Sequence, residues 1–67
     1  MRTALYEALE AKYAGEIAEA KANVEVYLSN PVGIGEHPDI VGALDSQMER
    51  IAEAEDKAVA LQKYFSK

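Results

Sequence analysis

Asn30-Pro31-Val32-Gly33-Ile34-Gly35-Glu36-His37-Pro38 holds both prolines of the chain and two of its four glycines, and no comparable break occurs elsewhere in the 67 residues. Asn30 precedes Pro31 and is pushed out of the α region by the proline ring, so a helix arriving from the N-terminal side ends near Ser29. Pro38 suits the first position of a second helix, where its missing N–H costs nothing, and Asp39 beside it favours the positive end of that helix dipole. Outward from this break the composition is uniform. Residues 3–29 and 38–65 are dense in Ala, Glu, Lys and Leu, all strong helix formers. The spacing therefore predicts helix 3–29, loop 30–37 and helix 38–65 within a single domain, 1–67. Two helices of roughly 40 Å joined by a short loop fold back on each other. The expected fold class is all-α: an antiparallel two-helix hairpin that pairs into a four-helix bundle.

The packing stripes follow from a period of three or four. Helix one offers Tyr6, Leu9, Tyr13, Ile17, Ala20, Val24 and Tyr27; helix two offers Ile40, Leu44, Met48, Ile51, Ala54, Ala58, Leu61 and Phe65. Folding at the loop sets Tyr27 against Ile40, Val24 against Leu44, Ala20 against Met48 and Ile17 against Ile51. Tyr13, Leu9 and Tyr6 then face Ala54, Ala58 and Leu61, so large side chains meet small ones where facing layers must interdigitate.

Helix one carries a second stripe, Ala4, Ala8, Ala11, Gly15, Ala18 and Ala22, placed roughly 60 to 100° around the helix from the first. A glycine inside a helix costs about 1 kcal/mol relative to alanine, and close approach of another helix gives Gly15 a reason to be there. These six residues are the expected oligomer interface, with Leu5, Val41, Ala52 and Val59 at its edges; the alternative is a solvated face of good helix formers. Size points the same way. Ordering a chain of this length costs on the order of 100 kcal/mol, and one sparse apolar seam barely offsets it. There is no Cys to supply a disulfide or a thiolate metal site.

Charge narrows the function classes. Seven Lys and Arg against twelve Asp and Glu give a net charge of −5, and the basic residues are dispersed, which argues against nucleic acid as a partner. No apolar run approaches the ~18 residues of a membrane span, and Glu7 falls where the apolar stretch of a signal peptide would lie, so the expected location is the cytoplasm. His37, the single histidine, stands in the loop without a partner at metal-ligand spacing and is expected as a helix N-cap or a solvated side chain. Glu16 and Glu19, Glu49 and Glu53, and Glu55 and Asp56 fall mostly outside the seams. Glu53 and Lys57 have the favourable i, i+4 order. None of these pairs has a recognisable base, nucleophile or oxyanion donor beside it. No catalytic, cofactor-binding or metal-binding residue is assigned, and no cofactor is expected. Gly33-Ile34-Gly35 lacks the strand before it and the Gly-Lys-Ser/Thr after it that a phosphate loop needs; it gives backbone freedom for a tight reversal with Val32 and Ile34 tucked over the bundle end, and the alternative is that these two form a docking loop for another protein.

Residues 30–41 (Asn30-Pro31-Val32-Gly33-Ile34-Gly35-Glu36-His37-Pro38-Asp39-Ile40-Val41), with Asp45 and Ile51-Ala52-Glu53-Ala54-Glu55-Asp56-Lys57, resemble short proteins without an assigned activity from marine tailed phages, including cyanophages, and from ocean metagenomes. The resemblance covers the loop and most of helix two. It implies a setting, the cytoplasm of a phage-infected bacterium, and a host or phage protein as a partner beside a second copy of the chain. The expected function is that of a non-enzymatic interaction or structural protein acting as a homodimeric helical bundle. The alternative is an acidic nucleic-acid mimic that inhibits a basic host protein.

Overall fold

The computed structural model describes residues 1–29 and 39–66. Two helices, α1 (Arg2–Ser29) and α2 (Ile40–Phe65), account for nearly all of them, with no strand among the described residues. They lie side by side and antiparallel: Arg2 reaches Phe65 at one end, and Asn23 reaches Gln47 toward the other. The result is a rod of 46 × 16 × 15 Å.

The helix ends show how the sequence sets the boundaries. Helix α2 begins at Ile40, two residues later than the position expected from Pro38. Asp39 is its N-cap: with non-helical φ −122° and ψ 78°, its carboxylate accepts from the Gly42 N–H at 2.8 Å and its carbonyl accepts from the Ala43 N–H at 3.1 Å. An Asp in that role satisfies one of the otherwise orphaned first-turn donors, whereas the helical position assigned to it next to Pro38 would not. A Cβ on Gly42 would land within the Asp39 carboxylate, so the third helical position has to be bare for the cap to close. At the far end the Arg2 guanidinium donates to the Phe65 carbonyl at 2.7 Å, so a cation from the start of α1 satisfies an orphan acceptor at the negative end of α2. Ser29 donates back to the Glu25 carbonyl at 2.6 Å in the last turn of α1. Pro38, the histidine proposed as N-cap and the loop residues Val32 and Ile34 lie outside the described residues.

The core is one seam thick. Among the described residues only Ala20 (0% exposed) and Ala54 (2%) are buried, and no large side chain is fully enclosed. Tyr6, Tyr13, Ile17, Val24 and Tyr27 on α1 and Ile40, Leu44, Ile51, Ala58 and Leu61 on α2 are half-buried, as the stripes predict. Leu9, Met48 and Phe65 are exposed instead. The correction at Met48 has a geometric cause. Leu44, Gln47, Ile51, Ala54, Ala58 and Leu61 keep the alternating three- and four-residue step of a two-helix seam, and Met48 sits one residue, about 100°, farther round. Gln47 is half-buried in its place.

The alanine stripe lies elsewhere on α1 than its expected angle. At about 100° per residue, Ala4, Ala8, Ala11, Gly15, Ala18 and Ala22 centre nearly 180° from the seam on α1, not 60 to 100°. All six are exposed, and a Cβ on Gly15 would meet nothing within 4 Å. The stripe forms the back of α1, facing away from α2.

Candidate interaction surfaces

With the seam between the helices and the alanine stripe behind α1, the rod presents two long flanks that differ in chemistry. The first is bridged by polar side chains. Asn23 Nδ2 donates to Gln47 Oε1 at 3.1 Å, Arg50 Nη1 donates to the same oxygen at 3.1 Å, and Arg50 Nη2 pairs with Glu19 Oε1. Four side chains from both helices thus form one connected ladder, and no buried side-chain polar atom among the described residues lacks a partner. Glu19 is largely exposed, so the charge pair itself adds little stability; the half-buried amide pair fixes which residues of the two helices stand opposite. Toward the loop, Tyr27, Asp39, Gly42, Ala43, Ser46 and Gln47 line a recess of about 370 Å³ on this side.

At the terminal end the same flank opens into an apolar groove of about 500 Å³. Leu5, Tyr6, Leu9 and Tyr13 form one wall, Ala60, Leu61 and Phe65 the other, and Arg2 and Lys57 also line it. The expected Glu53–Lys57 pair does not form: the ion pairs among the described residues are Lys12–Glu16 at 3.4 Å and Glu19–Arg50. Lys57 points toward the groove, about 40° round the helix from Glu53, the displacement that separates i and i+4.

The second flank is apolar. Beyond the seam on α1 come Val24, Ile17 and Leu28, and on α2 Ile51, Leu44, Met48, Val41 and Val59, each set in order of increasing angle from it. Leu28, Val41, Met48 and Val59 are 51% to 78% exposed. Ile17, Val24, Leu44 and Ile51 are half-buried, each with one side in the seam and the other on this flank. Of the exposed residues here, the sequence offered Val41 and Val59 as edges of an interface on the alanine stripe and Met48 as a seam residue, and it did not single out Leu28, because period alone does not separate the two sides of a seam. The handedness of that choice comes from Asn23–Gln47 and Glu19–Arg50, which occupy the other side.

No chemical constellation gathers on either flank. Among the described residues no three His, Asp or Glu side chains converge on a cation-sized site. Neither helix is long and apolar enough to cross a membrane. Glu16 and Glu19, two of the carboxylates on α1, are already paired with Lys12 and Arg50. Compared with family models, curated proteins and solved structures, the chain matches none.

Proposed function

We propose that this chain is a non-enzymatic interaction protein that works as a homo-oligomer, two hairpins combining into a four-helix bundle. One observation carries the reading: among the described residues the hairpin encloses nothing larger than alanine. It exposes 5100 Å², against about 4,200 Å² expected of a compact monomer of 7.3 kDa. Burying a large aliphatic side chain fully contributes about 1.5–3 kcal/mol, so covering four half-exposed ones in each of two copies supplies on the order of 10 kcal/mol. That is the size of the association cost, about 4–15 kcal/mol, which places the equilibrium where protein concentration shifts it. A four-helix bundle is the smallest closed arrangement in which two such hairpins share a core.

An acidic mimic of nucleic acid draws no support from the charge arrangement. Its carboxylates would have to run free along one face, and two of those on α1 are tied to cations of the same chain. A host or phage protein as a further partner follows only from the resemblance of the loop.

Sedimentation equilibrium between 5 and 200 µM tests the proposal. The expected result is a mass that rises with concentration to twice that of the chain; a folded species that keeps the mass of one chain across the range contradicts it.

A further inference from the structure

We infer that the second copy seats on the flank opposite the Asn23–Gln47–Arg50–Glu19 ladder, against Val24, Leu28, Val41, Met48, Ile51 and Val59, and not on the alanine stripe. This rests on the homo-oligomeric reading above and names its surface. Three observations converge on it.

The first is continuity with the core. Ile17, Val24, Leu44 and Ile51 each put one side into the seam and leave the other uncovered on this flank, so an identical hairpin placed here extends the same core instead of starting a new one. A partner on the alanine stripe would touch α1 alone. Val41, Met48 and Val59 on α2 would stay as exposed as they are in the single hairpin.

The second is area. The rod is 46 Å long and 16 Å wide, so a flank presents on the order of 700 Å² to a partner, close to the ~800 Å² per subunit of a stable interface. The third is closure. The ladder has already satisfied the middle of the other flank and confines its apolar surface to the groove at the terminal end, so only one flank per hairpin is apolar along its length. A single surface that pairs with itself closes as a two-fold dimer and does not propagate. Charge on this flank is sparse: Glu55 lies at about the angle of Met48 on α2 and Glu10 at about that of Leu28 on α1, with Lys21 beside them, so the register in which the copies meet has to keep like charges apart.

The test compares Met48→Glu and Ala18→Glu, both at exposed positions of the single hairpin. Sedimentation of Met48→Glu should show the dimer dissociation constant raised at least 100-fold, with helical circular dichroism retained at high concentration; Ala18→Glu should change it less than threefold. Because the chain has no Cys, Met48→Cys and Ala18→Cys supply a readout that does not depend on a charge being tolerated. Maleimide labelling at position 48 should slow at least tenfold between 2 and 200 µM, while labelling at position 18 keeps its rate. A wild-type chain that stays monomeric overturns the homo-oligomeric reading itself. A dimer that survives Met48→Glu, or one in which position 18 and not position 48 becomes protected, leaves that reading standing and overturns the surface named here.

Discussion

The ladder flank and the apolar flank are built on the same two helices, and each lies within one residue step of the same seam, yet they hold the chain together in different ways. On the ladder flank Asn23, Gln47, Arg50 and Glu19 satisfy one another within a single hairpin. They contribute little net energy, since exchanging water for protein partners is worth about 0.5–1.5 kcal/mol per bond, but they penalise any slipped register by leaving half-buried amides unpaired. On the apolar flank Leu28, Val41, Met48 and Val59 satisfy nothing within the hairpin. The first flank says which residues of α1 and α2 stand opposite; the second holds the area from which stability has to come. A small helical protein without disulfides or metal needs both, and here they lie on opposite sides of the rod.

The largest expected effect tests whether the apolar side is covered. Ile17→Ala and Ile51→Ala each remove a side chain that belongs to both the seam and the flank. In a covered bundle each should cost about 2–4 kcal/mol, but only about 1–2 kcal/mol if the flank stays in water. Urea unfolding of both variants, and of the double variant, separates the two cases. The pair should also be non-additive, since the Glu19–Arg50 pair sets both at nearly the same level of the seam.

The ladder should behave in the opposite sense. Asn23→Ala removes one of the two donors to Gln47 Oε1, leaving Arg50, and should cost about 0.5–1.5 kcal/mol. Replacing Asn23 and Gln47 together by Leu should be close to neutral or stabilising in urea, because an apolar pair of similar volume needs no partners. That double variant makes the two flanks alike, so sedimentation should then show species larger than a dimer. A discrete dimer would mean that the ladder does not restrict assembly.

How much of this was legible beforehand depends on the kind of residue. Tyr13, Ile17, Val24, Ile51 and Leu61 announce the seam because apolar side chains at helical spacing have few other uses, and the loop around Pro31 and Pro38 announces the reversal. Gln47 does not announce itself: a scan for apolar residues passes over it to Met48, although the step from Leu44 to Ile51 requires position 47. Arg2 is equally silent, since its carbonyl partner is 63 residues away and exists only once the hairpin has closed. The alanine stripe was visible as a pattern, and its angle was misplaced; counting 100° per residue from Tyr13 puts it behind α1.

Smaller effects sharpen the ends and the back of the rod. Asp39→Ala should cost about 1 kcal/mol by removing the cap of α2. Gly42→Ala should gain little, because the propensity advantage of alanine is offset by displacement of the Asp39 carboxylate. Gly15→Ala, into open space, should stabilise by up to about 1 kcal/mol, and Gly15→Leu should be tolerated. A loss of about 1–3 kcal/mol in the Leu variant would instead place a helix crossing on the alanine stripe.

The account stands on the hairpin being incomplete by itself, and the concentration dependence of thermal unfolding addresses that most directly. Raising a partner that binds only the folded chain to about 100 times its dissociation constant adds about 2.7 kcal/mol of stability, and about 1 kcal/mol moves the midpoint of a domain this size by roughly 4–8 °C. Between 2 and 200 µM the midpoint should therefore climb by about 10 °C or more. A midpoint that holds constant across that range, with full helicity at the lower concentration, would contradict the account.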